Sequence, residues 1–202
     1  MSDSRGGKNR LAEALQRVVA RDGIAGVSVR SVAAEAGVTA GGVQHHFPTR
    51  AEMIRYAMAQ TSATVENRLS RRPRWGDVHG WTKEILLDLL PLDAERRREY
   101  MVWLAFVAHA ETDPRLTELK QQTDSKLHSL YSRIVRARRG IPIPENEETE
   151  SSVDADVEQD ALLLQSLMDG LSLRLARSEA AVASELGPRL LDRYLRIAID
   201  TR

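Results

Sequence analysis

Residues 27–53 read VSVRSVAAEAGVTAGGVQHHFPTRAEM, and this stretch decides the fold. Ser28 can cap a short helix that buries Val29, Val32, Ala33 and Ala36 at helical spacing. Gly37 stands where a left-handed residue closes such a helix. Thr39 caps a second short helix, with Val43 and Phe47 turned inward. Pro48 stops it, because proline lacks an N–H and restricts the residue before it. Two short helices joined by a tight glycine turn form a helix-turn-helix, whose second helix can lie in the major groove of DNA.

The pattern stays helical on both sides. Upstream, Leu11, Leu15, Val18 and Val19 share one face of a helix over residues 8–21, ended by Asp22 and Gly23. Downstream, Thr49 and Glu52 have the spacing of a capping box, and the helix they open continues to Arg71 with Met53, Ile54, Ala57 and Met58 inward. Further helices are expected over residues 75–90, 93–110, 113–139, 154–177 and 184–199. Residues 145–160 carry eight acidic side chains and no basic one, and the first half of this segment reads as a loop. With no β-strand candidate and no repeat, the expected fold class is all-α with about nine helices. The expected division is a helix-turn-helix domain over residues 1–52 and a helical remainder over residues 53–202.

Composition narrows the functional classes. The 202 residues are 42% hydrophobic and 29% charged, ordinary for a water-soluble chain. No apolar run is long enough to span a bilayer, and the N-terminus lacks an apolar signal core, so the reading is cytoplasmic with no membrane partner. Cysteine is absent, which excludes disulfides, thiolate metal sites and cysteine nucleophiles. The net charge of zero conceals an asymmetry: residues 1–74 carry 12 basic and 6 acidic side chains, leaving 17 and 23 for the rest. A basic N-terminal part suits contact with phosphate at one end only.

Residues 8–58 resemble the DNA-binding domain of the tetracycline-repressor (TetR) family. The resemblance rests on Ala12, Leu15, Gly23, Val27-Ser28-Val29, Val32-Ala33, Ala36-Gly37-Val38-Thr39, Gly42-Val43, His46-Phe47, Arg50 and Met53. It implies that Ser28 touches phosphate and Arg30 a base edge; a guanidinium there can hold guanine O6 and N7 together. Thr39, Ala40, Gly41 and Gly42 open the recognition helix, where small side chains permit close approach to the groove. Gln44 and His45 project from its exposed face, Gln44 suited to adenine, while His46 and Arg50 are expected on phosphate. Where the family usually has tyrosine on phosphate, this chain has Gln44, so its half-site geometry is expected to differ. His45 and His46, adjacent on a helix, point in different directions and have no acidic or cysteine partners, so no metal and no cofactor are expected. No nucleophile elbow or phosphate-binding loop occurs, so no catalytic residue is assigned.

For the remainder the resemblance implies a ligand pocket and a dimer interface. The aromatic, polarizable or titratable candidates for an effector are Trp81, Met101, Trp103, Phe106, His109, Tyr131 and Met168. The stretch WLAFVAHAETDPRL (residues 103–116) and Met168-Asp169-Gly170-Leu171 resemble the choline-responsive betaine regulator branch. A cationic amine would need an aromatic face and a carboxylate, for which Trp103 with Glu111 is the available pair. The leucine-rich last two helices offer Leu163, Leu167, Gly170, Leu171, Leu190 and Tyr194 to a second subunit. The expected function is a DNA-binding regulator, most simply a repressor, that binds a palindromic operator as a homodimer and is released by a small-molecule effector. An all-helical enzyme or carrier, and a helical adaptor for another protein, are the alternatives from other classes.

Overall fold

The computed structural model describes residues 2–72, 77–111, 113–143 and 155–200, with side chains from Gly6 onward. Among the described residues there are nine α-helices and no strand. They are α1 (Ser2–Asp22), α2 (Val29–Ala36), α3 (Ala40–His46), α4 (Arg50–Ser70) and α5 (Val78–Leu89), then α6 (Ala94–Ala110), α7 (Pro114–Arg138), α8 (Ala155–Ala176) and α9 (Ala180–Tyr194). A 3₁₀ turn, Ile24–Gly26, precedes α2, and a π-turn, Leu195–Ile199, follows α9. No helix among the described residues is long and apolar enough to cross a membrane. Of the acidic run expected over residues 145–160, residues 145–154 lie outside the described residues, and the rest begin α8.

The chain divides into two compact units. The first holds Met1–Asn67 and Arg98–Gln121; the second holds Arg68–Arg97 and Gln122–Arg202. In the first, Leu11, Leu15 and Val18 of α1 pack with Val32 of α2, Val43 of α3, Met53 and Ile54 of α4, Val102 and Phe106 of α6, and Leu116 of α7. The α1 side chain Gln16 donates to Thr61 of α4 at 2.9 Å, satisfying a buried hydroxyl beside this core. α1 starts at Ser2, earlier than the apolar spacing indicates, because residues 2–7 are polar or glycine and carry no periodicity to mark a helix.

In the second unit Leu86 and Leu90, Ile134 and Val135, Leu164, Met168 and Leu175, and Leu191 and Leu195 form a separate core. Arg138 crosses it. Its guanidinium, about 5% exposed, makes two bonds to Asp200 at 2.8 and 2.7 Å and donates to the His79 carbonyl and the Thr82 hydroxyl. A buried charge is tolerated only with such complete pairing. Arg139 is likewise paired with the buried Asp160. α9 begins at Ala180, earlier than expected, and contains Pro188; Ala183 buried on its first turn anchors the extra residues.

Candidate DNA interface

The local chemistry of α2 and α3 is worked out by their ends. The Ser28 hydroxyl accepts from the Ser31 N–H at 3.0 Å, and the Ser31 hydroxyl accepts from the Ser28 N–H at 2.8 Å. This reciprocal box satisfies two backbone donors at the start of α2. Gly37 closes the helix at φ 69°, a left-handed conformation that costs a side-chain-bearing residue dearly. Thr39 then caps α3 by accepting from the Gly42 N–H at 3.1 Å. Val43 and Phe47 bury one side of α3, so Ala40, Gly41, Gln44 and His45 are left exposed on the other. Thr49 accepts from the Glu52 N–H at 3.1 Å, as the capping-box spacing suggests, and α4 begins.

The remaining expected contacts are distributed unevenly. Arg30 is exposed on the first turn of α2 and makes no ion pair among the described residues. The exposed Arg50 lays its guanidinium on the loop before α2, donating to the Val27 and Ile24 carbonyls at 2.7 Å each. A carbonyl oxygen has two lone pairs, so the Ile24 oxygen takes the guanidinium as well as the Val27 N–H. His46 is half-buried with its ring against α1, where a Cβ added at Gly7 would lie 2.8 Å from Nε2. The His45 and His46 rings meet edge to face at 5.2 Å.

Part of the basic charge of this unit is spent internally. Glu35 bridges Arg17 at 2.7 Å and Arg21 at 2.8 Å, and Arg21 also pairs with Asp22. Hydrogen bonds from Arg21 and then Arg17 hold the Glu35 carboxyl below its ordinary range. Lys8 and Arg10, in the first half of α1, have no carboxylate partner among the described residues. Lys8 sits beside the α3–α4 corner, with its ammonium over the Phe47 and Tyr56 rings. Sequence reading assigned it nothing, since a lone lysine in a polar helix start carries no pattern.

The expected effector residues are divided between the two units. Met101, Trp103, Phe106 and His109 belong to the first, and Trp81, Tyr131 and Met168 to the second. Phe106, Tyr131 and Met168 are buried core residues, whereas Met101 is 43% exposed. Burial, and to a lesser degree Asp169, push the Tyr131 phenol up, so it stays neutral. A hollow of about 450 Å³ in the second unit is lined instead by charged groups, among them Arg68, Arg72, Glu84, Asp88 and Arg96.

The expected dimer residues separate by face. Leu171 turns into its own core, and Leu167 and Tyr194 are half-buried. Leu163 at 55% exposure, Leu190 at 37% and the open Gly170 face outward. Six of the ten exposed large hydrophobics among the described residues lie on α8, α9 and the π-turn: Leu162, Leu163, Leu173, Val182, Leu190 and Ile197. Helix packing inside the second unit depends on a different glycine. A Cβ at Gly187 would fall 2.9 Å from a Leu175 methyl and 2.7 Å from one of Leu92.

Comparison with known proteins agrees with this geometry. The family of bacterial regulatory proteins called the tetR family matches residues 11–57, and the BetI-type transcriptional repressor C-terminal family matches residues 79–200. The chain is 31% identical over 169 residues to the HTH-type transcriptional regulator PksA of Bacillus subtilis, covering 82% of this chain and 77% of that protein. It is 26% identical over 195 residues to the HTH-type transcriptional regulator BetI of Vibrio campbellii, covering 93% and 89%. A transcriptional regulator from Rhodococcus sp. Rha1 superposes with TM-score 0.81 at 35% identity, over 96% of each chain. A protein from Saccharomonospora viridis, solved in complex with choline, shares the fold with TM-score 0.80 at 18% identity, over 96% and 98%.

Proposed function

The chain belongs to the tetR family of bacterial transcriptional regulators, with a BetI-type C-terminal domain, and we propose that it is a ligand-released repressor acting as a homodimer on a palindromic operator. The observation that carries this reading is α3, buried along Val43 and Phe47 and open along Ala40, Gly41, Gln44 and His45. Ser28, Arg30, Thr39, Gly42 and the exposed α3 side chains are the DNA contacts; Arg30 and Gln44 read bases and the others position the protein. Arg50 and His46 act at the margin of the interface by holding the α2 loop and α1 in place.

The second copy covers the apolar outer face of α8 and α9. Exposed leucines on two adjacent helices are costly in water, and an isologous interface removes them from both subunits at once. Two copies of α3 then enter successive major grooves about 34 Å apart. A small molecule bound by the helical remainder favours the arrangement that fits DNA poorly, with about 1–3 kcal/mol of coupling. Small quaternary amines are the first compounds to screen, because a protein of this fold holds choline. Trp103 and Glu111 supply an aromatic face and a carboxylate of the kind such a cation requires.

Footprinting on the DNA flanking the chain's own gene tests the reading. The expected result is a protected inverted repeat whose affinity falls steeply with salt. An unprotected flank at low salt, with folded dimeric protein, would overturn it.

A further inference from the structure

Three consecutive residues near the start of α1 are fastened to the corner where α3 gives way to α4. Gly7 lies so close to His46 that a Cβ there would stand 2.8 Å from Nε2 and 3.0 Å from Cε1. The Tyr56 hydroxyl donates to the Asn9 side-chain oxygen at 2.7 Å. Between them, the Lys8 ammonium stands 5.7 Å from the Phe47 ring centroid and 5.9 Å from that of Tyr56, two rings that pack at 5.3 Å. Phe47 is the C-cap of α3, so this cation is held at the far end of the recognition helix.

The placement leaves a charge only partly answered. Lys8 is half-buried and has no carboxylate or hydrogen-bond acceptor among the described residues. An ammonium carries three donors, and ring faces satisfy none of them directionally. The contrast within α1 is sharp, because Arg17 and Arg21, on its second half, are neutralised by Glu35 and Asp22. Arg50, the cation expected on phosphate at the start of α4, is engaged with backbone carbonyls. An anion is therefore wanted at this corner, and the described residues do not supply it. A helix lying in a major groove about 12 Å wide has a phosphate wall near each of its ends.

Resting on the operator-binding reading, we propose that Lys8 binds a backbone phosphate of the duplex at the C-terminal end of α3, with Gly7 and Asn9 as the residues that seat it. The aromatic pair keeps the alkyl stem in place, so the ammonium meets DNA already oriented. The contact carries no base information, and its energy comes from counterion release.

The experiment measures binding to the footprinted operator and to a random duplex across a salt series, for wild type, K8Q, K8M and K8R. Removing one phosphate contact should lower the slope of log K against log salt by about 0.9 in K8Q and K8M. Both duplexes should weaken together, by roughly three- to tenfold at low salt, and K8R should keep the wild-type slope. K8M retains an apolar stem on the rings, so its thermal midpoint reports packing separately from charge. A wild-type slope in K8Q and K8M, with or without a lower midpoint, would show that Lys8 only braces the corner and would overturn the proposal while leaving operator binding intact. Failure of wild type to protect any DNA would overturn both.

Discussion

At the scale of single residues, two arginines of the proposed DNA interface stand in different surroundings. Arg30 is exposed and without an ion pair among the described residues, so Arg30→Ala should leave folding alone and cost about 1–3 kcal/mol on the preferred operator, relaxing discrimination at one base position. Base-substitution profiles of the operator check this. Arg50 donates to two backbone carbonyls, so Arg50→Ala should lower unfolding stability by about 1–3 kcal/mol and weaken all DNA sequences together. Denaturant unfolding beside gel shifts separates the two. Carboxylates also have legible roles. The Lys83 ammonium at 2.7 Å holds Asp192 below its ordinary range. A depressed carboxyl stabilises the folded state fully above its unfolded value, and the stabilisation is lost as pH falls through the folded one. Acid titration of the unfolding midpoint should therefore steepen below about pH 4, and Asp192→Asn should flatten that limb. Neither the Arg50 geometry nor the Lys83–Asp192 pair was legible in the sequence, because both join positions far apart in the chain.

At the scale of elements, the capping residues were legible and the glycines were so only in part. Ser28, Gly37, Thr39 and Pro48 act where their backbone preferences place them. Gly41 and Gly42 are helical, and a Cβ at either would meet only contacts of 3.5 Å or more. Nothing inside the protein requires them, while each costs the helix up to about 1 kcal/mol against alanine. Gly42→Ala should accordingly raise the thermal midpoint by a few degrees and weaken operator binding, opposite signs that calorimetry and gel shift would register. The glycine that does matter for packing, Gly187, had no sequence signature, because a helical glycine looks alike whether its neighbour is solvent or Leu175. In the terminal element, the π-turn Leu195–Ile199 accompanies Ile197 facing solvent at 63% exposure and Asp200 bonded to Arg138.

At the scale of the whole molecule, the proposed homodimer depends on what covers α8 and α9. Replacing the outward Leu163 and Leu190 together by aspartate should leave each unit's core untouched, give a monomer by light scattering, and abolish operator protection. Retained dimerisation would place the subunit contact elsewhere. Effector binding is best sought by thermal shift. A ligand at a hundred times its Kd adds about 2.7 kcal/mol to the folded state, enough to move the midpoint by several degrees.

Taken alone, the sequence was sufficient for the all-helical class, the ends of α2 and α3 and the outward face of the recognition helix, since each depends on contacts within a few residues. Periodicity and capping are local physics, written in neighbouring letters. Only the tertiary structure decided that α7 contributes to two separate cores, that Arg50 reaches the Val27 and Ile24 carbonyls, and that Lys8 stands at the end of α3. Those facts depend on which distant side chains offer an acceptor, a ring face or an empty volume, and no spacing along the chain encodes that.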